Sequence, residues 1–263
     1  MQDLEVGRKA AQAGAAVVRE WFGTVKQAGW KTSDVDPVTA ADLASQSAVI
    51  AVIEQARPGD AILAEEDDTG ELVDGRMWVI DPLDGTVNFF HGVPHVGVSV
   101  ALVEDGVPIV GVVVDVFADK EYRASAGAGA FCDGAAIQVS APESLGRSLV
   151  ATGYPYDRRQ RPRVYTDINA AVIAEVQGIR RFGAATLDLA WTAAGMLDGY
   201  WELALAPWDV AAGMVLVEEG GGLITNHEGR RSRLDDALFV AAPEAIHRQF
   251  LEVLAAAIPK ELL

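Results

Sequence analysis

Two nearly unbroken apolar stretches, Val96 to Val103 and Pro108 to Val116, flank Glu104-Asp105-Gly106. Valine-rich runs joined by a turn signal read as an antiparallel hairpin. Around this hairpin the chain alternates strand and helix signals without the strict βαβ rhythm of a doubly wound sheet. Asp3 to about Gln27 reads as an Ala-rich helix, with Leu4, Ala11, Ala15, Val18 and Phe22 on one face. Ala28 to Val38 reads as an exposed loop. A second helix starts at Thr39 or Asp42 and runs to Arg57, with Leu43, Val49, Ile50 and Ile53 inward. Short strands follow at Ala61 to Ala64 and Met77 to Ile80, the latter ending at Asp81-Pro82. Another hairpin is expected around Gly127 and Gly129, from Glu121 to Phe131. Beyond it come a strand at Leu149 to Thr152 and helices over 163–176, 186–196 and 208–219. A last strand, Leu238 to Ala241, and a last helix, Glu244 to Ala257, close the pattern. The fold class is α+β, layered and mostly antiparallel.

Composition narrows the function. Lys plus Arg is 21 and Asp plus Glu is 38, a formal net charge of −17. An acidic surface repels nucleic-acid backbones and anionic membranes, so direct binding to either is not expected. A phosphate ligand is compatible with it when cations screen the carboxylates. The single cysteine, Cys132, excludes an intramolecular disulfide and a thiolate-rich zinc site. No basic-then-apolar leader and no membrane-length apolar run are evident, which gives a cytoplasmic expectation.

Several carboxylates stand where apolar segments stop. Asp81 follows Trp78-Val79-Ile80 and precedes Pro82, which forces an extended residue before it. Asp84-Gly85 then turns the chain, with Gly85 free to take positive φ. Such a turn aims Asp81, Asp84 and the Leu83 carbonyl at one point, a set of hard oxygen donors suited to Mg2+. A plain Asx-turn with solvated acids explains the same residues equally well. Glu65-Glu66 alone is an acidic strand end. Asp209 and Asp42 each read as helix-start acids.

Together these segments resemble the inositol monophosphatase family. Its signature is matched by Trp78-Val79-Ile80-Asp81-Pro82-Leu83-Asp84-Gly85-Thr86-Val87-Asn88-Phe89. In the family's order stand Asp36-Pro37-Val38-Thr39-Ala40-Ala41-Asp42, Ala64-Glu65-Glu66, Gly183-Ala184-Ala185 and Trp208-Asp209-Val210-Ala211-Ala212-Gly213, followed by Glu218-Glu219-Gly220-Gly221. The resemblance implies a Mg2+-dependent, lithium-sensitive phosphomonoesterase, usually a homodimer. It also implies an α/β/α/β/α sandwich like that of fructose-1,6-bisphosphatase. One unit over 1–263 would carry most metal ligands in 1–145, and Asp209 and the substrate contacts in 146–263. Carried over by residue, Glu65, Asp81 and the Leu83 carbonyl hold one ion. Asp81, Asp84 and Asp209 hold a second, and Glu65 touches a third through water. Thr86 and Asp42 orient and deprotonate the attacking water, with Glu65 counted among the catalytic groups. Gly85 and Thr86 N–H groups face the phosphate. Gly183 and Ala185 line the substrate ring, and Glu202 accepts from its hydroxyls.

The implied substrate is myo-inositol 1-phosphate. Histidinol phosphate, fructose 1,6-bisphosphate, NADP and 3′-phosphoadenosine phosphates are alternatives that metal motifs do not separate. Leu205-Ala206-Pro207 stands where the family often has a histidine, which weakens the inositol assignment. Some family members associate with transcription machinery, giving a non-enzymatic alternative. Lys31 matches a lysine of the family's mobile loop. Gly92 and Pro94 argue against His91 and His95 as a zinc pair, and His227 and His247 read as surface residues. The basic runs Arg158 to Arg163, Arg180-Arg181 and Arg230 to Arg233 fit either a second phosphate or, preferably, solvated loops.

Overall fold

The computed structural model describes residues 2–24, 29–30, 37–66 and 72–263. Lys31, Asp36 and most of the Ala28–Val38 segment lie outside the described residues, as do Asp67 and Asp68. The chain builds five layers. The outermost helices are α1 (Asp3–Trp21) and α2 (Ala40–Ala56). Between them, β1 (Gly29–Trp30) and β2 (Pro37–Val38) pair antiparallel, where the sequence suggested only loop. α1 is shorter than its periodicity predicts, because Phe22 turns extended and Gly23 takes φ +73°. Val49 and Ile53 of α2 are buried as expected, but Leu43 is 53% exposed and faces outward.

The second layer is a seven-stranded sheet in chain order, β3 (Ala61–Ala64), β4 (Arg76–Asp84), β5 (Gly97–Glu104), β6 (Val107–Asp115), β7 (Lys120–Ser125), β8 (Ala130–Cys132) and β9 (Ala135–Ile137). Only β3 and β4 run parallel; the other neighbours are antiparallel. The short helix α3 (Thr86–Phe90) follows β4. Both faces of the sheet are covered, which explains the unbroken apolar runs. Val98, Val100 and Leu102 pack under α1 and α2, while Ala101 and Val103 face the opposite core.

That central core holds the third layer. Its helices are α5 (Ala185–Ala193) and α6 (Pro207–Glu219). α4 (Pro162–Ile173), which precedes them in the chain, lies in the outer layer described below. α6 rests on the sheet almost backbone to backbone. A Cβ at Gly111 would stand 2.4 Å from the Ala212 carbonyl oxygen, so only glycine admits this approach.

The fourth layer is a five-stranded sheet containing β10 (Leu149–Thr152), β11 (Gly178–Arg180), β12 (Gly199–Leu203), β13 (Leu223–Thr225) and β14 (Leu238–Ala242), ordered β11-β10-β12-β14-β13. Its inner residues, Phe239 and Ala241, join the central core. Leu238, Val240 and Ala242 face outward onto α4 and α7 (Glu244–Ala257). The result is the expected α/β/α/β/α sandwich. The five-stranded sheet mixes parallel and antiparallel pairs.

Candidate active site

β4 passes the point where the sequence suggests it stops. Asp81 pairs with Ser99 and Asp84 with Gly97, so three steps on β4 match two on β5. In a regular strand Asp81 and Asp84 would point to opposite faces. The extra residue of this bulge turns both to one side. Leu83 N–H donates to Asp81 Oδ1 at 3.0 Å, and Ser45 Oγ of α2 donates to the Pro82 carbonyl at 2.6 Å. These bonds fix the kink. Gly85 then takes φ +89°, with the His95 and Gly183 carbonyl oxygens 3.0 and 3.3 Å from where a Cβ would stand. α3 starts there and presents Thr86.

The other acids are held at helix starts. Asp42 is the third residue of α2. Its Oδ2 accepts from the Thr39 N–H at 2.9 Å and from the Thr39 hydroxyl. Thr39 Oγ1 in turn accepts from Ala41 N–H, completing a capping box. The free edge of that cap is used too: Thr86 Oγ1 stands 3.1 Å from Asp42 Oδ1 and 3.2 Å from the Leu83 carbonyl. Asp209 is the third residue of α6, and its Oδ2 accepts from Ala206 N–H at 2.7 Å. Asp84 Oδ2 accepts from Thr186 N–H at 2.8 Å and Thr186 Oγ1 at 2.6 Å, at the start of α5. Glu65 follows β3, its N–H on the Ile80 carbonyl at 3.2 Å.

One cavity collects them. Glu65, Asp81, Leu83, Asp84 and Asp209 line it, with Gly85 and Thr86 beside them, and so do Gly183, Ala185 and Glu202. Asp42 is fully buried behind Thr86. Burial and then the charges of Glu65, Asp84 and Asp209 push the Asp81 carboxyl well above the usual range. Burial, then Glu65 and Asp84, do the same to Asp209. Asp84 rises to about 6, burial outweighing its bonds to Thr186. Acids that resist ionisation for this reason gain most from a cation. The donors are all oxygen, which fits a hard divalent ion. They converge on the cavity rather than closing on one point. Among the described residues no three His, Cys, Asp or Glu side chains form a ready metal-holding group.

The same cavity contains residues that sequence reasoning missed or misread. β12, absent from the sequence reading, carries Glu202. Burial raises the Glu202 carboxyl to about 7, against the lowering bond from the Tyr200 hydroxyl and the charges of Arg181 and Arg158. Asp188, on α5, also lines the cavity and is 1% exposed. Its signal in the sequence was an acid inside the apolar run Ala184 to Ala190. Arg158 and Arg181 line the cavity as well, so these two are not merely solvated loop residues. Arg231 and Arg233 do pair at the surface, with Glu218 and Asp235. His91 is exposed while His95 packs against Phe182 and Trp191, so they form no pair. His247 is buried beside Thr225 Oγ1, not on the surface, because it faces the core side of α7. Cys132 sits half-buried in β8, on the far strands of the sheet from β4.

A model of the inositol monophosphatase family matches residues 2–262. The chain belongs to that family. The inositol-1-monophosphatase of Synechocystis is 38% identical over 255 residues, covering 96% of this chain and 88% of the relative. A protein named Nus factor SuhB, from Pseudomonas aeruginosa, is 39% identical over 233 residues, 86% of each chain. Among solved structures, the inositol monophosphatase of Anabaena superposes with a TM-score of 0.87 at 37% identity, covering 99% of this chain and 98% of that one. As an inositol monophosphatase family phosphatase, the protein is a hydrolase of phosphate esters. No helix among its described residues is long and apolar enough to cross a membrane.

Proposed function

We propose that this phosphatase is a Mg2+-dependent phosphomonoesterase acting on a small phosphorylated polyol, with myo-inositol 1-phosphate its leading substrate. The observation that carries the reading is that Glu65, Asp81, Asp84 and Asp209 line one cavity together with Glu202. Glu65, Asp81 and the Leu83 carbonyl would hold one ion, and Asp81, Asp84 and Asp209 a second. Glu65 would reach a third through water. Bound Mg2+ supplies Lewis-acid polarisation of the phosphoryl group and eases loss of a proton from water.

The chain's own residues do the rest. A phosphate dianion approaches past the Gly85 and Thr86 N–H groups. Gly183 and Ala185 leave room for the ring, and Glu202 accepts from its hydroxyls. Thr86 Oγ1 takes the proton of the attacking water as its own proton moves to Asp42 Oδ1, 3.1 Å away. Asp42 is kept in place by the Thr39 cap, so the helix start serves both stability and chemistry. No cysteine or histidine nucleophile is needed.

A panel of phosphate esters assayed with Mg2+ tests this reading. Turnover of inositol 1-phosphate that EDTA abolishes and Li+ inhibits is expected. A good rate on histidinol phosphate beside negligible inositol phosphate hydrolysis would overturn the substrate. Light scattering is expected to give the mass of a homodimer, and fractionation a cytoplasmic protein.

The Pseudomonas aeruginosa relative's name favours one second reading, a Nus factor role through protein contacts. The −17 charge argues for a basic protein partner over direct RNA binding. A pulldown that recovers a transcription component, undiminished by Asp84→Asn, would support it.

A further inference from the structure

Besides Asp81, Asp84 and Asp209, the cavity walls carry groups of both charges. Glu202 and Asp188 are buried carboxyls, and Arg158 and Arg181 are guanidinium groups on the same walls. Glu202 has a partner, the Tyr200 hydroxyl, and occupies the space left by Gly153. Asp188 has none. Its Oδ1 is buried without a hydrogen-bond partner among the described residues. Nothing in the packing of α5 requires an acid there, since its neighbours Leu187, Leu189 and Ala190 are apolar and buried. A buried polar atom that the protein leaves unpaired is costly, and a ligand donor removes that cost.

Arg181 lines the same cavity. Its guanidinium lies over Gly183, where a Cβ would come within 2.3 Å of Nη1, and 5.7 Å from the centre of the Tyr154 ring. Those contacts hold it at the mouth of the cavity, and no protein acceptor takes its N–H groups among the described residues. Arg158 lies over the Tyr156 ring at 5.9 Å.

A hydroxyl donates one hydrogen bond and accepts others. Between a carboxyl and a guanidinium it uses both capacities. We propose that Asp188 is a specificity-determining residue that accepts a hydrogen bond from a substrate hydroxyl, beside Arg181. This rests on the phosphomonoesterase reading above and narrows its substrate class.

The test compares inositol 1-phosphate with p-nitrophenyl phosphate, which carries no hydroxyl for Asp188, using the Mg2+-loaded full chain. Asp188→Leu should lower the ratio of the two kcat/KM values by roughly 10- to 100-fold, the size of one lost hydrogen bond to a charged group. The loss should fall on KM for inositol 1-phosphate. Asp188→Asn, which keeps an acceptor oxygen and the side-chain shape, should retain more of the ratio than Asp188→Leu. Wild-type protein adds an arm that needs no mutant: removing single ring hydroxyls from the substrate should locate one whose loss matches Asp188→Leu. Equal falls on both substrates would mean that Asp188 is structural and would overturn the proposal. A wild type inactive on both esters would instead strike the phosphomonoesterase reading itself, and the proposal with it.

Discussion

Two sets of residues line the cavity and are built by opposite means. In the Asp81 set the protein crowds like charges and then restrains them with backbone. Asp84 is held by the start of α5, Asp209 by the start of α6, and Asp42 by the start of α2. The Glu202 set mixes acids with arginines, and Asp188 Oδ1 has no protein partner among the described residues. The first set holds repulsion that a cation would relieve. The second offers an acceptor for a substrate hydroxyl under the proposal above. Substitutions should therefore separate the two: in the first set stability and activity move in opposite directions, and in the second substrate preference moves.

Asp209→Asn should have the largest effect. It removes a proposed ligand from the Asp81 set, and kcat/KM should fall on the order of 10³-fold. In EDTA the same variant should melt a few degrees higher, because a half-buried like charge has gone while the amide oxygen still accepts from Ala206 N–H. Loss of activity with unchanged or lower stability in EDTA would break the contrast. Steady-state kinetics and thermal melts of the metal-free protein measure both.

Gly153→Ala probes the Glu202 set alone. A Cβ there would come within 2.0 Å of Glu202 Oε1, so the carboxyl must shift. KM for inositol 1-phosphate should rise about 10-fold, with a smaller change for p-nitrophenyl phosphate. Equal effects on both esters would show that the two sets are not separable.

The smallest effect is a pH slope. Glu202 is raised to about 7 in the folded protein, so the fold binds its proton more tightly than the unfolded chain does. That contribution is fully present below the ordinary glutamate range and lost as pH rises through about 7. It amounts to roughly 3 kcal/mol by linkage. Denaturant titrations in EDTA should show stability falling with pH across this window. Glu202→Gln should flatten the slope, leaving the parallel contributions of Asp81 and Asp209.

What the sequence revealed divides along the same line. Asp81, Asp84, Thr86 and Gly85 are consecutive or nearly so, and their turn chemistry is local. The layered fold was legible for a similar reason, since Val98 to Val103 show in one run that both sheet faces are covered. The bulge in β4 was not legible, because it depends on how Asp81 and Asp84 pair with β5. Asp188 was not singled out in the sequence, because only the burial of α5 between two sheets brings it to the cavity wall. Arg158 and Arg181 looked like solvated loop residues until the chain brought them to the cavity from separate segments. The capping reading of Asp42 and its proposed role beside Thr86 were posed as alternatives. Its two oxygens allow both, one on the Thr39 cap and one on Thr86.

The most direct test is a crystal grown with Mn2+ and inorganic phosphate, with anomalous scattering recorded at the manganese edge. Peaks within ligand distance of Asp81, with Glu65 and Asp209 among the contacts and phosphate between the metal and Gly85, are the predicted result. A map in which Mn2+ avoids these carboxylates, collected from protein that hydrolyses phosphate esters with Mn2+, would contradict the account.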